Sequence, residues 1–128
     1  EPAPEGIVLG ASTVNQCPFI IDFMQVGWEN DRWEVTKLQM FLSIVMGYDV
    51  AVTGEFDAAT DAAVKQFQLN YSDEILVPWF EKGIVPHSDP TGFVYKTTRW
   101  KINDIVCPGS EEYPDFEGED LDSNVDID

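Results

Sequence analysis

The stretch 35–68, VTKLQMFLSIVMGYDVAVTGEFDAATDAAVKQFQ, admits few folds. Its apolar residues Val35, Leu38, Leu42, Val45 and Met46 recur at the spacing of a helix with one buried stripe. Asp31, with Glu34 three residues on, has the form of a capping box at that helix's start. Gly47 follows the last periodic residue, where a left-handed cap is expected. A second helix is expected from Asp57, a good N-cap followed by the small residues Ala58 and Ala59. Its apolar face is Ala63, Val64, Phe67 and Tyr71. The loop between the two helices has room for a short strand at 50–52 before a turn at Gly54.

The logic of this stretch recurs. Gly54, Phe56 and Thr60 stand as G-x-F-x-x-x-T, and Gly92, Val94 and Thr98, 38 residues later, as G-x-V-x-x-x-T. Four and seven residues after each threonine come Val64 and Phe67, then Ile102 and Ile105. The pattern predicts two similar loop-then-helix units, with a third helix over about 95–105. The fold expected is all-α: a small three-helix bundle with a loop-helix internal repeat, a proline-rich insertion and disordered tails.

V-x-x-L-Q-x-x-L, Gly-Tyr and G-x-F-x-x-x-T-x-x-A-V-x-x-F-Q are met by Val35, Leu38, Gln39, Leu42, Gly47, Tyr48, Gly54, Phe56, Thr60, Ala63, Val64, Phe67 and Gln68. In these positions the chain resembles the peptidoglycan-binding-domain-like family. Asp57 departs from it, standing where the family often has a second glycine. The resemblance implies a three-helix module of the kind appended to enzymes acting on cell walls, and peptidoglycan or another cell-wall glycan as partner.

Charge narrows the partners further. The chain has a formal net charge of −17. Residues 17–107 hold all 7 basic residues with 13 acidic ones, and residues 111–128 hold nine acids and no base. Nucleic acid is not expected as a partner, because neutralising phosphates takes clustered Lys and Arg. No run reaches the roughly 18 apolar residues of a membrane-spanning helix, so no membrane span is expected.

Cys17 and Cys107 are the two cysteines and bracket the patterned region. Their separation matches no zinc spacing. Either they form a disulfide stapling the domain's edges, or they are two unrelated buried thiols. A disulfide implies an oxidising, extracytoplasmic setting.

Outside the core pattern, residues 1–16 read as a linker, 17–107 as the domain, and 108–128 as an acidic tail too poor in apolar residues to order itself. The run PFIIDFMQV at 18–26 suits a short helix, although so few residues leave a strand open. Pro78, Pro86 and Pro90 prevent a long helix in the segment after Tyr71. Ile75, Leu76, Trp79 and Phe80 are apolar enough that this insertion should fold over the bundle. In the tail, Asp120, Asp122, Asn124, Asp126 and Asp128 alternate as calcium ligands do, but Val125 takes the place of the glycine such a loop needs. No metal and no cofactor are expected.

No catalytic residues are expected either. The one histidine, His87, lies in the proline-rich segment, and no serine sits in a nucleophile-elbow motif. The carboxylate pairs read as caps and solvated charges, since a glycosidase needs two carboxylates held across a cleft. The candidate ligand-binding residues are Tyr48, Tyr95, Thr98 and Arg99, grouped by the two repeat loops. The aromatics are placed to stack on sugar faces, and Thr98 and Arg99 to hydrogen-bond. Trp79 and Trp100 can stack or pack in the core, and Thr60 and Thr98 can instead bond to their own helix termini. The function read from the sequence is a non-catalytic cell-wall binding module that tethers a larger secreted or surface protein. The alternative is a structural or protein-interaction domain of an extracellular assembly, with another surface protein as partner.

Overall fold

The computed structural model describes residues 17–119. These form five α-helices and no strand: α1 (Arg32–Met40), α2 (Ala58–Asn70), α3 (Ser72–Ile75), α4 (Val77–Glu81) and α5 (Lys96–Val106). The domain is all-α, and the long helices α1, α2 and α5 share one core. Leu38, Leu42, Val64, Phe67 and Ile102 are buried there. None of these helices is long and apolar enough to cross a membrane.

Asp31 caps α1 by accepting from the Glu34 amide at 3.0 Å. The return half of a capping box is not made, because the Glu34 carboxylate is used elsewhere. It accepts from the amides of Ile21 and Asp22 and pairs with Lys37 at 2.7 Å, both side chains being buried. Lys37 in turn donates to the Phe19 carbonyl. The stripe of α1 also slips at its end. A π-helical turn at Phe41–Val45 places an extra residue in the turn, so Phe41 and Leu42 are buried while Val45 is 41% exposed.

The segment 18–26 is neither a helix nor a strand. Its amides find partners on other elements instead: Ile20 on the Asn103 side chain, Ile21 and Asp22 on Glu34. Met24 makes an isolated antiparallel bridge with Val94. The expected strand at 50–52 is likewise absent. Cys17 and Cys107 form a disulfide across a sequence separation of 90 residues.

The two repeat units are built alike, around a buried glutamine. Gln39 Oε1 accepts from the amides of Thr53 and Gly54, both at 2.8 Å, while its Nε2 donates to the Glu55 carbonyl and to Thr60 Oγ1. Gln68 Oε1 accepts from the amides of Thr91 and Gly92, both at 2.9 Å, while its Nε2 reaches the Phe93 carbonyl and Thr98 Oγ1. Both loop glycines need positive φ, 86° at Gly54 and 77° at Gly92. A Cβ at Gly54 would crowd Arg32 and Thr36, and one at Gly92 would run into the Asp61 carboxylate. The repeat is thus a polar clamp used twice, which orders two loops against one core.

The clamp makes Thr98 an internal group. It is 2% exposed and accepts from Gln68. Thr98→Val keeps the shape and removes the acceptor, so it should cost roughly 0.5–1.5 kcal/mol of stability. Urea denaturation of the two proteins measures this, and an unchanged midpoint would mean that the Gln68 clamp does not need the hydroxyl.

The segment after the disulfide corrects one expectation. Residues 108–119 are not a free acidic tail but lie against the domain as a strap. Tyr113 packs edge-on to Trp100 and donates to the Glu74 carbonyl, and Phe116 packs edge-on to Trp79. Glu119 pairs with Lys96 at 2.8 Å. Two aromatic anchors and one ion pair order this acidic segment, because the apolar surface they need is supplied by the bundle. Residues 1–16 and 120–128, with the linker and the alternating Asp and Asn pattern, lie outside the described residues.

Candidate ligand cleft

Position 57 in the first unit corresponds to position 95 in the second, and the two have diverged. Asp57 caps α2, its Oδ1 accepting from the Thr60 amide at 2.9 Å and from the Thr60 hydroxyl at 2.8 Å. Those bonds, the amide's first, hold the Asp57 carboxyl below its ordinary pKa. At the corresponding place Tyr95 gives α5 no side-chain cap. A side-chain cap typically contributes about 1 kcal/mol, so the second unit forgoes local helix stability at this position. In exchange it presents an aromatic ring at the mouth of a cleft.

That cleft, of about 350 Å³, lies between the proline-rich insertion and the second repeat loop. Ile75, Leu76, Trp79, Phe93 and Tyr95 give it an apolar lining, Trp79 tilted against Tyr95 with ring centres 5.8 Å apart, and His87, Asp89 and Glu119 are among the polar lining. The walls are held in place by polar bonds. The Trp79 indole N–H donates to Thr97 Oγ1 at 2.9 Å, and that hydroxyl donates to the Ile75 carbonyl. Tyr95 stacks on Phe93 with ring centres 4.8 Å apart and donates its hydroxyl to Glu119 at 2.8 Å. Burial, reinforced by the Glu119 carboxylate, raises the Tyr95 pKa. Burial also works to raise that of Glu119, but the hydrogen bonds from Lys96 and Tyr95 outweigh it and hold the carboxyl low. The bond to Glu119 correspondingly raises the Lys96 pKa.

The four candidate binding residues do not form one groove. Tyr95 and Thr98 line the cleft, Thr98 as part of its floor. Arg99 lies beside it in a second depression with Lys96, Trp100 and Glu111. Its guanidinium sits 4.6 Å from the centre of the Phe23 ring, against which Tyr95 also packs, and it donates to the Ile21 carbonyl. Tyr48 is elsewhere: it packs on the core, and its hydroxyl accepts from Asn70 at the end of α2. Pseudo-symmetry of the repeats does not bring it to Tyr95. The cleft also brings in Phe93, His87, Asp89 and Glu119, which the sequence did not group with the candidate residues. The signal available was the mismatch of Asp57 with Tyr95, an aromatic where the repeat calls for a cap.

With the clamp of the first unit intact, its sequence pattern can be placed against known families. Residues 32–72 match the model of the putative peptidoglycan binding domain family. The match takes in α1, the Gly54 loop and α2, and so contains one complete unit of the repeat. No curated protein and no solved structure matches the chain. The peptidoglycan-binding match thus contributes Gln68 to the cleft, while the aromatic walls come from the chain beyond it. Among the described residues no group of three or more His, Cys, Asp or Glu side chains is arranged to hold a metal ion.

Acid should loosen the strap and weaken the α2 cap together. The carboxyls of Glu119 and Asp57 are both lowered in the fold, so their contributions are present above the unfolded values of about 4 and are lost as pH falls. Below about pH 4, tryptophan fluorescence should report Phe116 leaving Trp79. Glu119→Gln should remove most of that pH dependence. A fluorescence profile that is flat from pH 7 to pH 3 would contradict the assignment.

Proposed function

We propose that this is a non-catalytic cell-wall binding module, one that holds a larger secreted or surface protein to peptidoglycan. The observation that carries the reading is the family match over residues 32–72. The Cys17–Cys107 disulfide supports an extracytoplasmic setting, where such bonds persist. The cleft supports binding rather than catalysis: its threonine hydroxyls and its glutamine are committed to internal bonds, and its aromatic rings are held rigid. Tyr95 and its neighbours form the contact surface, with Arg99 at its flank. Thr98 acts beneath them through Gln68.

The formal net charge of −17 opposes an anionic wall, so affinity should be modest. Titration with soluble wall fragments, followed by backbone amide NMR, tests the reading. Shifts clustered at Phe93, Tyr95 and Arg99 support it. If saturating fragments move no amide and insoluble peptidoglycan retains no protein, the wall-binding reading fails, and the interaction-domain reading takes its place.

A further inference from the structure

We propose that the cleft between the insertion and the second repeat loop is a site for a compact organic cation, the side-chain amine of a wall stem peptide. The proposal rests on the wall-binding reading for the source of the amine. The preference for a cation is argued from the cleft alone.

The lining contains two carboxylates, Asp89 and Glu119, and no Lys or Arg. Lys96, just outside the lining, balances Glu119, so Asp89 carries the uncompensated negative charge that an anionic ligand would meet. A neutral, hydroxyl-rich ligand would find the glutamine and threonine groups already engaged, leaving it only the carboxylates as acceptors. Gln68 is bonded to Thr91, Gly92, Phe93 and Thr98, and Thr97 is bonded to Trp79 and Ile75. What remains is three aromatic rings with carboxylates at the rim, and ring faces attract cations.

Glu119 is equipped for such a ligand. Both of its partners, the Tyr95 hydroxyl and the Lys96 ammonium, fall on Oε2. Neither bond uses Oε1, and an ionised carboxylate accepts on both oxygens. Asp89 is exposed on the opposite loop, with His87 Nδ1 3.7 Å from its carboxylate. Trp79, Phe93 and Tyr95 pack on one another and on Phe23, Trp28 and Phe116, so the amine would meet only the ring surface that lines the cleft. The volume, about 350 Å³, is at the small end of ligand pockets and suits an alkylammonium arm rather than a glycan strand.

The experiment titrates the whole chain with Nα-acetyl-lysine methylamide and, in parallel, with its neutral Nε-acetylated analogue. The lysine probe should shift the Trp79 indole N–H and the Phe93 and Tyr95 amides, and the neutral analogue should bind about tenfold more weakly or less. Asp89→Asn and Glu119→Gln should each weaken the lysine probe roughly three- to tenfold. Asp89 is on the surface, so its variant tests the site without endangering the fold. No shift at these three residues, or equal binding of the two probes, overturns the proposal. Retention on insoluble peptidoglycan separates the two readings. If the wall retains the protein while the lysine probe moves nothing, the amine site falls and wall binding stands. If the probe binds the cleft while the wall retains nothing, wall binding falls and the cation site stands.

Discussion

Reduction of the Cys17–Cys107 disulfide should destabilise this domain by roughly 4–5 kcal/mol, the chain-entropy value for a loop of 90 residues. For a domain of this size that corresponds to a fall in melting temperature on the order of 20 °C. The effect comes mainly from the unfolded chain, which regains the freedom the bond had removed. The folded state keeps other ties between the same regions. Asn103, buried in α5, accepts from the Ile20 amide at 2.7 Å and donates to the Ile20 carbonyl at 3.0 Å. Reduced protein should therefore still fold at low temperature with the same core. Urea denaturation with and without a reductant, repeated on the Cys17→Ser/Cys107→Ser double variant, measures the difference. Coincident curves, or two alkylatable thiols in protein prepared without reductant, would refute the bond's role.

Truncating Phe67 to Ala should cost about 3–5 kcal/mol. Phe67 is fully buried in the last turn of α2, edge-on to Phe41 with ring centres 5.5 Å apart and tilted against Tyr71 at 5.1 Å. The variant loses the transfer free energy of the ring and both ring contacts, and leaves a cavity that α1 and α5 cannot close without moving their clamped loops. Leu69→Ala on the same helix is the control, since Leu69 is 55% exposed and should change stability by less than about 0.5 kcal/mol. If the two variants cost the same, the inward face of α2 has been misassigned.

The helices were legible because their signals are local. Asp31 and Asp57 cap where their types and positions said they would, and Leu38, Leu42, Val64 and Phe67 face inward as their spacing required. The repeat was legible from Gly54 and Gly92. The glutamine clamp behind it was harder to see as a repeat, because Gln39 stands 15 residues before its glycine and Gln68 stands 24 before its own. The intervening insertion hides the equivalence. What could not be read was long-range. The segment at 18–26 is periodic enough for a helix, but its backbone is claimed by Glu34, Asn103 and Val94, three partners distant in sequence. The strap escapes the sequence pattern for the same reason: Tyr113 and Phe116 are too few to form a core of their own but enough to dock on one. Tyr48 and Tyr95 look equivalent as aromatics near repeat loops. Only the fold separates them, one beside Asn70 and the other at the cleft.

The position of the disulfide also sets how the domain carries mechanical load. Tension applied between the two ends of the chain enters at Cys17 and leaves at Cys107, and the sulfur bridge joins these points directly. Everything between them, all five helices and both clamps, lies off the line of force and is spared. The strap at 108–119 lies on that line. A pull would peel Glu119 from Lys96 and Tyr95 first, then Phe116 from Trp79, and so uncover one side of the cleft while the bundle stays folded. A domain built this way would not unravel under strain, and strain would open one side of its cleft.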